Sequence, residues 1–452
     1  MITLPRLSDA ALRVAAIASI TLALYGCNST GAGAAAAPPG DPADFALLET
    51  VARVVQRNYV APVSSDDLTK DALKGMLTRL DPHSDYMDQD QYQQMNAVTR
   101  GQFGGIGIEL TLESKIPEVI SPIDGTPAAN AGIEPGDRIV KINGFATAGM
   151  DVEQVVKRLR GPAGSRVSLE IARANQPPFE VTLTRSTIHV VSVKSSLQGD
   201  RIGYARVTTF TENTANELAA AIAKMKAQAH GRLNGFILDL RNDPGGLLDA
   251  AVDVTGEFVD GGTVVTTRGR NRDDDRVYRA PVAGNLITGV PMVVLINSAS
   301  ASAAEIVAGA LQDDHRAAVM GTRSFGKGSV QTIIPIEGHG ALRLTTALYY
   351  TPSGRSIQGQ GISPDIVVTL PKNEEVANAV LSHESDLFGA LKNTGALNGR
   401  GTGAEASLES GGDTGEHPIK PLIIGTSKDA QLEAAIDYLQ RAVRGETGGH
   451  PG

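Results

Sequence analysis

One stretch constrains this chain more than any other: between residues 291 and 331 a buried strand, a run of small residues, a helix and a glycine-flanked lysine follow one another. Pro291-Met-Val-Val-Leu-Ile-Asn297 is an unbroken apolar run with β-branched residues, the pattern of a short buried strand. Ser298-Ala-Ser-Ala-Ser302-Ala-Ala-Glu305 then leads into Ile306-Val-Ala-Gly-Ala-Leu311, whose apolar residues recur at helical spacing. A serine on such a turn meets unpaired N–H groups and the positive end of a helix dipole, a place suited to an oxyanion. Phe325-Gly-Lys327-Gly-Ser-Val-Gln331 offers a base, because a lysine becomes one when burial keeps it neutral.

The rest of the chain divides by pattern. Ile202-Gly-Tyr-Ala-Arg-Val207 and Gly235-Phe-Ile-Leu-Asp-Leu-Arg241 read as strands and residues 214–226 as an amphipathic helix, so residues 188–372 are expected to form an α/β unit. The second strand runs into Asn242-Asp-Pro-Gly-Gly246, a turn whose glycines permit close backbone approach. Over residues 102–187 short strands alternate with Gly/Pro turns: 106–110, 118–120, 137–142, 167–171 and 181–183, around one helical segment at 151–159. Residues 42–101 read as helical, with Asp66 and Asp67 as N-cap candidates, until Asp81-Pro-His-Ser-Asp-Tyr86 breaks the pattern. Helical patterns resume over 373–393 and 418–445. Between them, residues 394–417 have the Gly/Ser/Glu/Thr-rich composition of a disordered linker.

Composition removes several function classes. A formal charge of −9, no Trp and 4% aromatic residues argue against nucleic-acid binding. No His, Cys and carboxylate cluster has metal-ligand spacing, and Asp81, Asp85, Asp88 and Asp90 lack the Gly and Glu of a calcium loop, so neither metal nor cofactor is expected. Gly321 to Gly328 nearly matches a phosphate-binding loop, but Gly328 stands where Ser or Thr must bind magnesium. His83 reads as a turn residue. His315 and His339 lack the Gly-x-Ser-x-Gly elbow of a Ser-His-Asp hydrolase.

The block around Ser302 together with Phe325-Gly-Lys-Gly-Ser-Val-Gln331 resembles the C-terminal processing (tail-specific) peptidases, PDZ-containing serine peptidases with a Ser–Lys dyad. Their nucleophile lies three residues before the Glu and twenty-five before the Lys, and both counts land on Ser302 (from Glu305 and Lys327); Ala304 departs from a common Ser. Leu-Asp-Leu-Arg-x-Asn-x-Gly-Gly of the family is varied here as Arg-Asn-Asp-Pro-Gly-Gly. Gly105-Ile-Gly-Ile108 and Ser121-Pro-Ile-Asp-Gly-Thr-Pro-Ala-Ala-Asn-Ala-Gly-Ile-Glu-Pro-Gly-Asp-Arg-Ile139 resemble a PDZ carboxylate loop and core. The resemblance implies a multidomain α+β protein: an N-terminal helical region, a PDZ domain, an α/β peptidase core and a helical tail. It implies Ser302 as nucleophile, Lys327 as base and Gln331 orienting the amine, since i and i+4 share a strand face. Ala303 N–H with an N–H of Gly245 or Gly246 would form the oxyanion hole. Gly105, Ile106, Gly107 and Ile108 would receive the C-terminus of a protein substrate by strand addition, with an apolar last residue favoured. PDZ gating and, in some relatives, a lipoprotein adaptor or activator are further implications; homo-oligomerisation stays open. The rival reading is a catalytically silent PDZ scaffold on the same fold.

The single cysteine, Cys27, excludes an intrachain disulfide. Arg6 and Arg13 precede an apolar run at 14–24 with the length of a signal-peptide core, ending in Leu24-Tyr-Gly-Cys27, which resembles a bacterial lipobox. The expectation is a cleaved leader (1–26), lipid on Cys27, a Gly/Ala/Pro tether (27–41) and a place on the periplasmic face of the envelope. Asn28 favours the outer membrane, and the lipid anchor would be the only membrane contact.

Overall fold

The computed structural model describes residues 42–112, 116–199, 201–282, 284–369, 383–393, 424–425 and 429–446. The expected leader, Cys27, the tether and the 394–417 linker lie outside the described residues. The chain divides into two units, residues 1–65 and 66–452. In the first, helix Pro42–Asn58 leaves Phe45, Leu48, Val51 and Val54 exposed. Among the described residues no helix is long and apolar enough to cross a membrane.

The second unit is built on a six-stranded sheet in the order Val193–Gln198, Ile202–Val207, Gly235–Asp239, Met292–Ile296, Ala318–Gly321, Ile366–Val367. The first pair is antiparallel and the rest are parallel. Gly235–Asp239 and Met292–Ile296 are buried at every position, which is why their sequences are continuous apolar runs rather than alternations. Successive side chains nevertheless serve opposite faces. Phe236, Leu238, Val294 and Ile296 pack with helices Thr214–Gln228, Leu248–Gly256 and Ala303–Asp313. Ile237, Val293 and Leu295 pack under Leu432, Ala435 and Leu439 of the C-terminal helix Ala430–Val443. That helix is capped by Asp429, whose carboxylate accepts from Leu432 N–H, and is tied down by Arg241, which bonds both Asp239 and Asp429 with no exposed surface.

A second, antiparallel sheet carries the lysine segment. Its long strand Gly340–Tyr350 pairs with Asp85–Met87, Thr263–Gly269 and Ser329–Ile336. Residues 108–184 form a separate sheet, Ile108–Thr111, Glu118–Pro122, Arg138–Ile142, Arg166–Ala172 and Phe179–Thr184. Its core includes Ile139, Ile142, Leu169 and Ile171, with Val155 of helix Val152–Leu159. Asp151 begins that helix with a capping box to Gln154.

Three expectations need correction. The strand read over 106–110 starts only at Ile108, because Gly107 turns the chain at φ +75° between the strands Gln102–Gly105, paired with Ser186–His189, and Ile108–Thr111. A Cβ at Gly107 would fall 2.3 Å from Thr126, so only glycine fits. Asp66 and Asp67 lie inside the first turn of helix Ser65–Thr78 rather than at the N-cap position, and there they favour its positive end. Of the helix expected over 373–393, the described part holds a single 3₁₀ turn, Glu384–Asp386, fixed by side-chain bonds rather than by helical periodicity.

Candidate active site

Ser302 sits at the N-terminus of helix Ala303–Asp313, after strand Met292–Ile296, with its backbone at φ +57°. A non-glycine residue there costs on the order of 1–3 kcal/mol and persists only where its surroundings impose it. They do. Ser300 Oγ donates to Leu240 O (2.8 Å), Ala301 N–H donates to Asp243 O (2.9 Å), and the side chains of Asn242 and Asn297 are joined at 2.7 Å. Gly245 packs so tightly on this turn that a Cβ would lie 2.8 Å from Ser302 Cβ.

The two glycines of that turn differ. Gly245 N–H donates to Asp243 Oδ1 at 2.8 Å, Phe210 N–H donates to Gly245 O and Leu247 N–H donates to Phe210 O. Among the described residues Gly246 N–H and Ala303 N–H have no protein acceptor.

The sequence leaves the role of Glu305 open and leads to the expectation that it faces away from Lys327; it lies instead against the lysine loop and is central. It is fully buried. Its Oε2 accepts from Ser302 N–H (2.8 Å) and Lys327 N–H (2.9 Å), and its Oε1 from Gly326 N–H (2.7 Å) and Ser324 Oγ (2.5 Å). One carboxylate thus staples the serine turn to the lysine loop. The Ser-x-x-Glu spacing of a capping box was visible in the sequence; that the same carboxylate reaches a loop twenty-two residues on was not. Burial pushes Glu305 up to about 7 against the pull of these hydrogen bonds. The loop that resembled a phosphate cradle has already committed its amides, Gly326 and Lys327 to Glu305, Phe325 to Ser300 O and Gly328 to Gln358 Oε1.

Lys327 is partly buried, and its pKa is lowered, first by burial and then by the positive charge of Arg343; Glu384, Glu305 and Asp81 oppose the shift. Among the described residues no hydrogen bond joins Lys327 Nζ to Ser302 Oγ, and catalytic bonds are often long before substrate binds. Tyr349, absent from the sequence reading, places a buried hydroxyl beside Ser302 with no hydrogen-bond partner of good geometry.

Gln331 differs from expectation in its partners. Lys327 precedes strand Ser329–Ile336, and a register slip between Val330 and Gln331 breaks the simple i, i+4 parity. Gln331 Nε2 donates to Ser329 Oγ (3.0 Å) and Thr345 Oγ1 (3.2 Å), and Thr345 Oγ1 donates to Asp81 Oδ1 (3.0 Å). The Asp81-Pro-His-Ser turn therefore belongs to the surroundings of the lysine. His83 Nε2 meets both Glu384 oxygens at 3.0 and 2.8 Å, a partner 301 residues away. His315 lies past the far end of the Ser302 helix, roughly 16 Å along its axis, and His339 is in a hairpin turn.

Ile106 is buried in the core of the 108–184 sheet, Ile108 is half-buried, and strand Ile108–Thr111 lies at that sheet's edge, paired only with Glu118–Pro122 among the described residues. An edge of this kind accepts an extended peptide. A β module with an open edge strand, joined to an α/β core with a serine at a strand-to-helix turn, is the arrangement that the sequence resemblance implies.

Comparison with known proteins narrows this. Residues 201–368 match the model of peptidase family S41, residues 118–173 a PDZ domain, and residues 28–91 the N-terminal domain of the activating protease CtpB. A carboxy-terminal-processing protease of Bartonella bacilliformis is 49% identical over 341 residues, covering 75% of this chain and 78% of that protein. The carboxy-terminal processing protease CtpA of Bacillus subtilis is 35% identical over 362 residues, covering 80% and 76%. The chain belongs to the CtpA-like, PDZ-containing S41 family of carboxy-terminal-processing proteases. It is a serine endopeptidase whose PDZ domain recognises C-terminal substrates. Among solved structures, the photosystem II D1 C-terminal processing protease aligns at 29% identity with a TM-score of 0.43, over 75% of this chain and 98% of that one.

Proposed function

We propose that Ser302 is the nucleophile and Lys327 the general base of this endopeptidase. The observation that carries the assignment is the shared carboxylate oxygen of Glu305, which holds the backbones of both residues at 2.8 and 2.9 Å. Neutral Lys327 takes the Ser302 proton as Oγ attacks the peptide carbonyl. The tetrahedral oxygen receives Ala303 N–H and Gly246 N–H; Gly245 N–H is already committed to Asp243. The lysine ammonium then protonates the leaving amine, and Lys327 activates water for deacylation. Gln331 belongs to the hydrogen-bonded wall around the lysine, its NH₂ group fixed by Ser329 and Thr345.

The substrate is the C-terminal segment of an envelope protein, entering as an added strand on Ile108–Thr111 with its carboxylate at the Gly105-Ile-Gly-Ile108 turn. We place the functional boundaries at 102–187 for the PDZ domain and 188–372 for the peptidase core, between the 42–101 helical region and the tail. Lipidation of Cys27, periplasmic exposure, a lipoprotein activator and self-association complete the proposal, supported by the lipobox-like sequence and by membership of the family. The test is cleavage of an unstructured protein with an apolar C-terminus by the wild type, Ser302→Ala and Lys327→Ala. Cleavage by the wild type alone is expected; equal cleavage by Lys327→Ala would remove the proposed base.

A further inference from the structure

Asp243 lies in the turn that abuts the nucleophile, and its two oxygens are used unequally. The side chain is fully buried; Oδ1 accepts Gly245 N–H at 2.8 Å, while Oδ2 has no hydrogen-bond partner among the described residues. Its backbone oxygen takes Ala301 N–H, one residue before Ser302. The charged group near it is Arg206 of strand Ile202–Val207, whose Nε is also without a partner, and no ion pair joins the two among the described residues. Arg241 is committed to Asp239 and Asp429. From the serine turn come Asn297 and Ser298, which carry no charge; Glu305, on the same helix, is turned to Ser324 and the lysine loop.

An ionised carboxylate with a bare buried oxygen is costly. A protonated one keeps a carbonyl oxygen for Gly245 and does the work of an asparagine amide. We propose that Asp243 acts in this enzyme as a neutral acid that positions the Gly245–Gly246 turn beside Ser302, and that its ionisation sets the alkaline limit of cleavage. The proposal rests on the assignment of Ser302 and Gly246 made above. Burial pushes the carboxyl up to about 8, so the acid is largely intact near neutral pH. Two opposite demands then bound the working range: Lys327 must lose its proton and Asp243 must keep its own. Once ionised, Asp243 sets a negative charge next to the forming oxyanion and weakens its stabilisation.

The experiment follows kcat/KM for wild type, Asp243→Asn and Asp243→Ala from pH 6 to 10, and the melting temperature of each from pH 5 to 9. The ratio of Asp243→Asn to wild type should rise about tenfold between pH 7 and pH 9. Asp243→Ala, which frees Gly245, should lose about tenfold or more at every pH. Melting gives an independent reading. A carboxyl with a raised folded pKa stabilises fully below its unfolded value of about 3.9, and that stabilisation is lost as pH rises through the folded pKa. The melting advantage of Asp243→Asn over wild type should therefore grow up to about pH 8 and then stay level. A flat activity ratio with a constant melting difference overturns the proposal, as does an Asp243→Asn protein that melts below wild type at every pH, the mark of a carboxylate paired with Arg206. If cleavage survives Ser302→Ala, the nucleophile assignment fails, and the melting comparison still decides the protonation of Asp243.

Discussion

Two buried carboxylate centres hold this enzyme together, and they are neutralised in opposite ways. At the C-terminal latch, Asp239 and Asp429 share the Arg241 guanidinium, all three with essentially no exposure. At the serine–lysine staple, Glu305 has four N–H and O–H donors and, among the described residues, no ion-pair partner. Burial works against Asp429, yet the hydrogen bond and charge of Arg241 hold its pKa below the usual carboxylate range. Glu305, without such a partner, rises to about 7. The roles proposed for Ser302 and Lys327 give this difference a reason. A latch needs only to stay closed, so a full ion pair serves it. A staple beside a basic lysine must bind both loops without capturing the amine, and dipolar donors achieve that where a salt bridge would keep Lys327 charged.

The sharpest way to break this comparison is to make the lysine site permanently charged. Lys327→Arg should abolish cleavage as thoroughly as Lys327→Ala, by about 10³–10⁴-fold in kcat, because a guanidinium does not deprotonate. Measurable turnover by the arginine variant would show that a neutral amine is not required. Next in size, Asp429→Ala removes one of the two carboxylates on the buried Arg241, which keeps Asp239, together with the cap of the C-terminal helix, and should lower unfolding stability by about 3–5 kcal/mol in a denaturant titration. A loss below about 1 kcal/mol would mean that the C-terminal helix is held by its apolar face alone.

Glu305→Gln should cost less, about 1–3 kcal/mol, since one acceptor oxygen survives while an NH₂ group confronts an N–H donor. The signs with pH separate the two centres. The folded pKa of Glu305 is raised, so its contribution is complete below about 4.3 and fades as pH climbs through about 7; the wild-type advantage over Glu305→Gln should shrink in that direction. The Asp429 pKa is depressed, so its contribution is present above about 3.9 and is lost on further acidification; the advantage over Asp429→Asn should shrink towards acid. Parallel pH trends would contradict the distinction. The smallest expected effect is Tyr349→Phe, which removes a buried hydroxyl with no good partner and should change stability by no more than about 1 kcal/mol.

Legibility in the sequence followed the range of the interactions. The strands at 202–207, 235–239 and 292–296 and the helices at 152–159 and 430–443 were readable, because each is written in local periodicity or an unbroken apolar run. The strand Gly340–Tyr350 was not, since its half-exposed pattern has meaning only beside its partners. The loop residues divide in the same way. Ser302 and Lys327 stand in recognisable motifs, whereas the partners of Gln331 depend on a register slip, and His83 adds to its local turn bond with Asp81 a distant ring contact with Glu384.

The sequence alone determined the order of modules, the serine on a strand-to-helix turn, the glycine-flanked lysine and the absence of disulfides, for these reside in residue identity and short spacing. Tertiary structure decided that Glu305 joins the serine turn to the lysine loop, that Gly245 spends its amide on Asp243, and that the C-terminal helix covers the second face of the central sheet. The first and last of these join groups distant along the chain, and the second, though it spans only two residues, takes its geometry from the serine turn packed against Gly245. A hydrogen bond of 3 Å is sensitive to tenths of an ångström, and no pattern of residues specifies that until the sheets between them have packed.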